Sequence, residues 1–374
     1  MFKFEIIHKS KKSKARVGKI HTPHGIIDTP NFVAVGTNGA IKALDSKIVD
    51  EIGLQLIFCN SYHLTLQPGS ELIKLAGGIH KFMSRNLPVI TDSGGFQIFS
   101  LAYGGVANEL KSRGQKKVDG SVLKITDDGV VFRSYRDGKR VFFTPETSVQ
   151  IQKDIGADII IPFDELPPYH LNQEALKTSL ERTHLWEKRS LDFHLKNRQN
   201  QAMYAVLHGG IDLDLRKKSI DFLTKLDFDG FAIGGSIGKN KNEMFEILKF
   251  TMQSLFFDKP THLLGIGDIT SLDMAIPLGL DTFDSSYPTK AARHATALVD
   301  GGFLKITKAE NLKKFEPIEK HCNCYTCRNF TLSYLAHLFK AKELSSFTLL
   351  TIHNLYFMVN YMAKIRDRIL LDDL

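Results

Sequence analysis

The chain has 374 residues, 43% of them hydrophobic and 24% charged, with a formal net charge of +8. These proportions are those of a soluble globular protein and exclude a fibrous or disordered chain. No apolar run approaches the roughly 20 residues that span a bilayer, and none near the start has signal-peptide length, so no membrane contact and a cytoplasmic location are expected. The basic balance permits a polyanionic partner without requiring one.

The first thirty residues read as a β-rich lead-in, with turn signals at Thr22-Pro23-His24-Gly25 and Thr29-Pro30. Eight short apolar runs then follow: Asn31 to Val35, Leu54 to Cys59, Pro88 to Ile90, Asp158 to Phe163, Ala202 to Leu207, Gly230 to Ile233, His262 to Ile266 and Asp281 to Phe283. Segments of helical period separate most of them: Ser46 to Ile52, Thr147 to Ile155, Gln173 to Asn197, Arg216 to Leu226, Lys241 to Phe256 and Ser271 to Pro277. Apolar runs bounded by turns suit strands buried on both faces, and eight alternating with helices predict an α/β fold of the (β/α)8 barrel type. The alternative is an open doubly wound sheet, but no glycine-rich dinucleotide fingerprint follows the first run.

Between Ser100 and Thr144 the helical period disappears. Alternating stretches at Val122 to Ile125 and Val130 to Arg133, with Asp-Gly pairs at 119–120, 128–129 and 137–138, predict an antiparallel insertion near residues 100–145, basic around Lys111 to Lys117.

In a barrel of this kind chemistry sits just past the strand ends. The third run ends Thr91-Asp92-Ser93-Gly94-Gly95-Phe96-Gln97, and the fourth ends Phe163-Asp164-Glu165. The fifth ends Leu207-His208-Gly209-Gly210, the sixth Ile233-Gly234-Gly235-Ser236, and the eighth Phe283-Asp284. Any one Asp here could be a helix N-cap. Three on one rim, among glycine pairs that let a ligand approach the backbone, point to a site. Past Asp284, Pro288 stops the sheet, and Lys290 and Arg293 follow on a rigid turn, so a carboxylate beside cations faces an anionic substrate.

After Gly301 the composition shifts, and the chain divides into a barrel body, residues 1–300, and a zinc-binding helical subdomain, 301–374. Cys322, Cys324 and Cys327 have metal spacing, and two amphipathic segments follow, Leu332 to Glu343 and Phe347 to about Arg368. Three thiolates and one imidazole make a closed structural zinc site; by spacing alone His321, His337 and His353 all compete for the fourth position. Cys59 reads as a buried strand thiol.

Together these motifs resemble the tRNA-guanine transglycosylases, the queuine tRNA-ribosyltransferases, over nearly the whole chain. The resemblance rests on Phe58-Cys59-Asn60-Ser61-Tyr62-His63-Leu64, Thr91 to Gln97, Phe163-Asp164-Glu165, Phe231-Ala232-Ile233-Gly234-Gly235, Asp284 with Pro288-Thr289, and Cys322, Cys324, Cys327 and His353. It implies exchange of the wobble guanine of a tRNA anticodon for a deazaguanine base, queuine or its aminomethyl precursor, in queuosine modification. It implies that Asp284 is the nucleophile at the ribose anomeric carbon and Asp92 the general acid/base. Asp164 grips the amino-pyrimidine edge, His208, Gly234, Gly235, Asn60 and Gln97 join it in base binding, and Phe96 stacks on the base. Lys290 and Arg293 read the anticodon loop. It further implies that His353 is the fourth ligand to a structural Zn2+ and that the protein is a homodimer.

Three departures from the family pattern bear on specificity. His208 stands where a Gln is usual, and it can donate to a base carbonyl only with the right nitrogen protonated. The segment Gly234-Gly235-Ser236-Ile237-Gly238-Lys239 is one residue short, with Lys239 in place of a Glu. Lys290 replaces an Arg. An ammonium where relatives place a carboxylate disfavours a cationic aminomethyl group, so queuine is the expected base. Two other readings compete: a non-catalytic tRNA-binding relative, which the presence of both Asp92 and Asp284 disfavours, and a zinc hydrolase, for which the rim offers no tight His-x-His pair.

Overall fold

The structure, a computed structural model, describes residues 2–103, 121–167, 171–255 and 258–374. The lead-in is a three-stranded antiparallel sheet of β1 (Lys3–Lys9), β2 (Arg16–Thr22) and β3 (Gly25–Thr29). Then come β4 (Asn31–Val35), β5 (Ile57–Cys59) and β6 (Val89–Thr91). The insertion is the antiparallel sheet β7 (Val122–Thr126), β8 (Gly129–Arg133) and β9 (Arg140–Phe143), with turns at Asp127-Asp128 and around Gly138. The expected basic stretch at 111–117 and the Asp119-Gly120 turn lie outside the described residues. Next are β10 (Ile159–Ile160), β11 (Ala202–Leu207), β12 (Gly230–Ile233), β13 (Thr261–Leu263) and β14 (Thr282–Ser285).

Strands β4, β5, β6, β10, β11, β12, β13 and β14 are parallel in that order, and β14 pairs back onto β4 to close an eight-stranded barrel. Closure rules out the open sheet. The residues explain it through their period of two: in β11, Ala202, Tyr204 and Val206 pack with Val33, Phe58, Ile90, Ile159 and Ala232, while Met203, Ala205 and Leu207 join the larger apolar cluster with the helices. Ile20 and Ile27 of the lead-in sheet belong to the inner cluster, so that sheet floors the barrel. Arg16 of β2 donates to both oxygens of Asp281, at 2.9 and 2.6 Å, and Asp281 also accepts from the Thr261 amide at 2.7 Å. This buried fork fixes the start of the strand that carries Asp284.

The surrounding helices carry the expected punctuation. Asp45, Asn172, Asp212 and Asn240 cap Ser46–Ile52, Gln173–Lys196, Leu213–Leu223 and Lys241–Ser254 through their side chains. Several strands are shorter than the apolar runs that announced them; β10 keeps two residues, and Ile161 to Phe163 are buried without strand pairing. The short helices Ser61–Leu66, Ser70–Leu75, Ile79–Met83 and Gly95–Tyr103 were not expected, because none is long enough to establish a period. The predicted turn after Asp284 is a helix, Tyr287–Arg293, with Pro288 in its first turn, where no amide partner is needed.

Past the barrel, β15 (Thr296–Val299) and β16 (Gly302–Lys305) form a hairpin, followed by helices Tyr325–Asn329, Leu332–Ala341 and Ser345–Leu370. The last helix packs on β4, β15 and Tyr287–Arg293. Among the described residues no helix is long and apolar enough to cross a membrane.

Candidate active site and metal centre

Asp284 is the third residue of β14, and it is buried at 6% exposure. Its Oδ1 receives two hydrogen bonds, from the Gly265 amide at 2.7 Å and from His262 Nε2 at 3.1 Å. Among the described residues Oδ2 has no protein donor. One oxygen is therefore fixed while the other stays available to attack, which suits a carboxylate nucleophile. His262 lies opposite Thr282 in the β13–β14 register, with Nδ1 2.8 Å from the Thr282 hydroxyl. Sequence reading missed it, because a lone His within an apolar strand run carries no signal of its own.

Asp92 follows β6. Its Oδ2 accepts from Asn60 Nδ2 at 2.5 Å and Gln97 Nε2 at 2.7 Å, and its Oδ1 from the Ser61 amide at 2.8 Å. Burial pushes its carboxyl up, and the three donors restrain the rise, leaving it at about 6. A carboxyl that exchanges a proton that close to neutrality suits general acid/base work. Asn60 and Gln97, expected at the base, thus have Asp92 as their partner, and Gln97 Oε1 is buried without any.

Asp164, His208 and the Gly234-Gly235 pair follow β10, β11 and β12, three neighbours in the barrel. The Asp164 oxygens accept from Ser93 Oγ at 2.7 Å and from His208 Nε2 at 2.9 Å. Because a carboxylate only accepts, the Nε2 of His208 carries a hydrogen. Its Nδ1 is buried without a partner. A Cβ on Gly235, whose φ is +82°, would lie 3.1 Å from that nitrogen, and one on Gly234 would strike Val206 Cγ1 at 2.6 Å. Both glycines keep the wall beside His208 free of side chains. Phe96 is 55% exposed at the rim, an open ring face. Lys290 is exposed on helix Tyr287–Arg293, and Arg293 is half-buried with Nη1 unpartnered.

Beside Asp284, a cavity of about 330 Å3 lies between the 237–241 and 265–271 segments, lined by Lys239, Lys241, Gly265, Asp268, Ser285 and Tyr287 among others. Lys239 is exposed, and its amide donates to Glu243 Oε2 at 2.7 Å. Ser236 Oγ is buried and unpartnered.

Cys322, Cys324, Cys327 and His353 converge, with the three sulfurs 3.7, 3.6 and 3.4 Å from His353 Nδ1. A tetrahedron with the usual Zn–S and Zn–N lengths has a sulfur–nitrogen edge of about 3.5 Å, so the four residues fit a zinc ion. His353 Nε2 lies 2.8 Å from the Leu298 carbonyl, so that nitrogen holds the hydrogen and Nδ1 keeps its lone pair for a metal. His353, not His321 or His337, completes the set. The adjacent Asn354 donates to the Pro288 and Thr296 carbonyls, both at 3.0 Å, and accepts from the Leu298 amide at 2.9 Å. The cysteine–histidine cluster is thereby tied to the segment that carries Lys290 and Arg293.

A second cluster, His24, His80 and Asp158, lies at the opposite end of the barrel, where β10 begins. His24 Nδ1 and His80 Nε2 meet the two Asp158 oxygens at 2.7 and 3.0 Å, the Val89 amide adds a bond at 2.9 Å, and the two rings stack at 3.5 Å. Both Asp158 oxygens are engaged, which makes the group a clamp between the β2–β3 turn, helix Ile79–Met83, β6 and the start of β10. Cys59 is fully buried in β5, and burial pushes its thiol up to about 12.

The family model described as "Queuine tRNA-ribosyltransferase" matches residues 10–374. A queuine tRNA-ribosyltransferase from Protochlamydia amoebophila is 65% identical over 368 residues, covering 98% of this chain and 95% of that protein. Proteins of the same name from Chlamydia abortus and Chlamydia caviae are 54% and 53% identical, covering at least 99% of each chain. With the rim carboxylates and the Cys3His cluster in place, the chain belongs to the queuine tRNA-ribosyltransferase family.

Proposed function

We infer that this protein is a tRNA-guanine transglycosylase, which exchanges the wobble guanine of a tRNA anticodon for a deazaguanine base in queuosine modification. The observation that carries the reading is the contrast between two rim carboxylates: Asp284, held through one oxygen only, and Asp92, buried among three donors with a pKa of about 6. The free oxygen of Asp284 attacks the ribose anomeric carbon as the bond to guanine breaks, giving a ribosyl ester. Asp92 protonates the departing base, then accepts a proton from the incoming one. That base attacks the anomeric carbon and releases Asp284. Asp164 takes the N–H edge of the base, His208 and the Gly234-Gly235 backbone take its carbonyl region, and Phe96 stacks on it. Asn60 and Gln97 contribute by fixing Asp92. An unpaired anticodon loop lowers the cost of extracting the base.

Cys322, Cys324, Cys327 and His353 would hold a structural Zn2+, which would supply folding energy rather than take part in the exchange. Within the same proposal the boundary between barrel body and zinc subdomain falls near residue 300. Lys290 and Arg293 contact the anticodon loop, and the protein acts in the cytoplasm. By its resemblance to the family it also acts as a homodimer.

Queuine itself is the proposed base. The cation at Lys239 and the cavity beside Ser285 suit a bulky substituent better than a compact cationic one. The test is release of labelled guanine from preloaded tRNA. Release by queuine with little release by the aminomethyl precursor is expected; equal or better release by the precursor overturns the base assignment, and release by neither overturns the exchange reading.

A further inference from the structure

His208 is 3% exposed, with one nitrogen committed to Asp164 and the other buried without a partner beside the side-chain-free wall of Gly234 and Gly235. An orphaned buried nitrogen aimed at a bare backbone marks a place that a ligand atom fills. What that atom is follows from ring chemistry. A guanine-type ring presents an N–H and a carbonyl side by side. Asp164 can only accept, so it takes the N–H, and the carbonyl falls on its neighbour, where a donor is required. A neutral His208 cannot supply one. Its single hydrogen lies on Nε2, facing Asp164, and its Nδ1 would set a lone pair against the carbonyl oxygen.

We propose that His208 reads the base carbonyl as an imidazolium, with Nε2–H on Asp164 and Nδ1–H on the ligand, so that base binding draws a proton from solvent. The proposal rests on the base-exchange reading and deepens it. The groups packed around the ring leave Asp164 as its counter-charge. From helix Gln173–Lys196, Glu187 is fully buried, which raises its carboxyl well above the usual range and disfavours a second charge there. His184 on the same helix is pushed down to about 4 by burial and by His208, so it too is neutral. Glu165, next to Asp164, is engaged by Arg182 at 2.7 Å. From helix Leu213–Leu223, Arg216 donates to the Leu207 and Gly210 carbonyls, and Ser219 Oγ accepts from the His208 amide at 3.2 Å. A charge-assisted bond to the carbonyl is stronger than the amide donor of a Gln would make, but only while the ring holds its second proton.

The test is calorimetric titration of the zinc-loaded, full-length protein with queuine in buffers of different ionisation enthalpy, from about pH 7 to 8.5, a range in which an imidazole takes up its second proton only when a partner favours it. This lies above the region near 6 where Asp92 titrates. The wild type is expected to take up a fraction of a proton per base, approaching about one at the alkaline end, with affinity falling roughly tenfold across the range. His208→Gln is expected to bind with no proton uptake and a flat profile. Absence of uptake by the wild type, or uptake that survives in His208→Gln, overturns the proposal. Guanine release from tRNA, measured separately at about pH 6.5, reports on the base-exchange reading instead: its loss overturns that reading, whereas its retention without proton-coupled queuine binding overturns this proposal alone.

Discussion

His262 reaches from β13 to the neighbouring strand and places Nε2 3.1 Å from Asp284 Oδ1, the oxygen that the Gly265 amide also holds, at 2.7 Å. The carboxylate is thus oriented without being fully neutralised by donors. His262→Ala removes one charge-assisted bond and is expected to lower kcat for guanine exchange about tenfold to hundredfold with little change in KM for tRNA. Asp284→Ala is expected to abolish exchange, by about 10³-fold or more, because no other group replaces the nucleophile. Trapping the RNA–protein adduct on a denaturing gel distinguishes the two: it persists at reduced rate in His262→Ala and disappears in Asp284→Ala.

Asp92 combines function with a cost to stability. Its carboxyl is raised by burial to about 6 in the folded protein, so its favourable contribution is complete below the unfolded value of roughly 3.9 and is lost as pH rises through the folded value. At pH 8 the buried charge costs about 3 kcal/mol. Asp92→Asn, whose neighbours Asn60 and Gln97 can turn their amides to suit it, is expected to raise the melting temperature at pH 8. The gain shrinks toward pH 4, while exchange is lost. Thermal melts at the two pH values check this; a variant destabilised at pH 8 would contradict it.

The clamp at the barrel floor has the opposite sign. Burial pushes Asp158 up, but hydrogen bonds from His24 and His80, with the Val89 amide, more than offset it and hold the carboxyl well below the usual range. That stability is present above the unfolded Asp value and is lost as pH falls toward the folded one. His24 is raised, chiefly by its bond to Asp158, so its share is present below the unfolded His value and is lost as pH rises through the folded one. Asp158→Ala is expected to cost about 3 to 5 kcal/mol at pH 7. His24→Ala is expected to destabilise more at pH 5 than at pH 8. Urea unfolding at these pH values measures both.

Removing the metal is expected to act beyond the cluster. His353 and Asn354 tie the helix Ser345–Leu370 to the Leu298 and Pro288 carbonyls, so the helix with Lys290 and Arg293 depends on that anchor. Cys322→Ala or chelation is expected to lower the melting temperature and weaken tRNA binding, with one zinc released per chain. Asn354→Ala is expected to weaken tRNA binding while zinc content, read by elemental analysis, stays intact. Unchanged tRNA affinity in Asn354→Ala would separate the metal centre from the RNA site.

Base choice can be probed at Lys239. Lys239→Glu places a carboxylate near the cavity beside Asp284 and is expected to improve use of the cationic precursor relative to queuine. An exposed pair contributes little, so a change of about fivefold or less in the kcat/KM ratio is anticipated. No shift, or a shift toward queuine, would remove Lys239 from the specificity argument.

Much of this was legible in the chain itself. Eight apolar runs, their turn residues and the Asp or Gly pairs at their ends announced a barrel, because the interior of a parallel barrel admits no polar alternation. Cys322, Cys324 and Cys327 announced a cluster of metal-ligand type, because three thiols in six positions have ligand spacing. Tertiary structure decided what depends on distances across the barrel. Spacing left three histidines open as the fourth ligand, and chain folding brings His353 alone to the sulfurs. Asp92, past β6, gains Asn60 from the end of β5 and Gln97 from the helix that follows it. His262 gains its meaning only from register with Thr282 and Asp284, and His208 only from the carboxylate that fixes one nitrogen and the bare glycines that leave the other open. Local sequence encodes period, turn and cap, which are backbone properties of a few residues. Which buried polar atoms meet, and which are left waiting for a ligand, is set only when distant segments pack together.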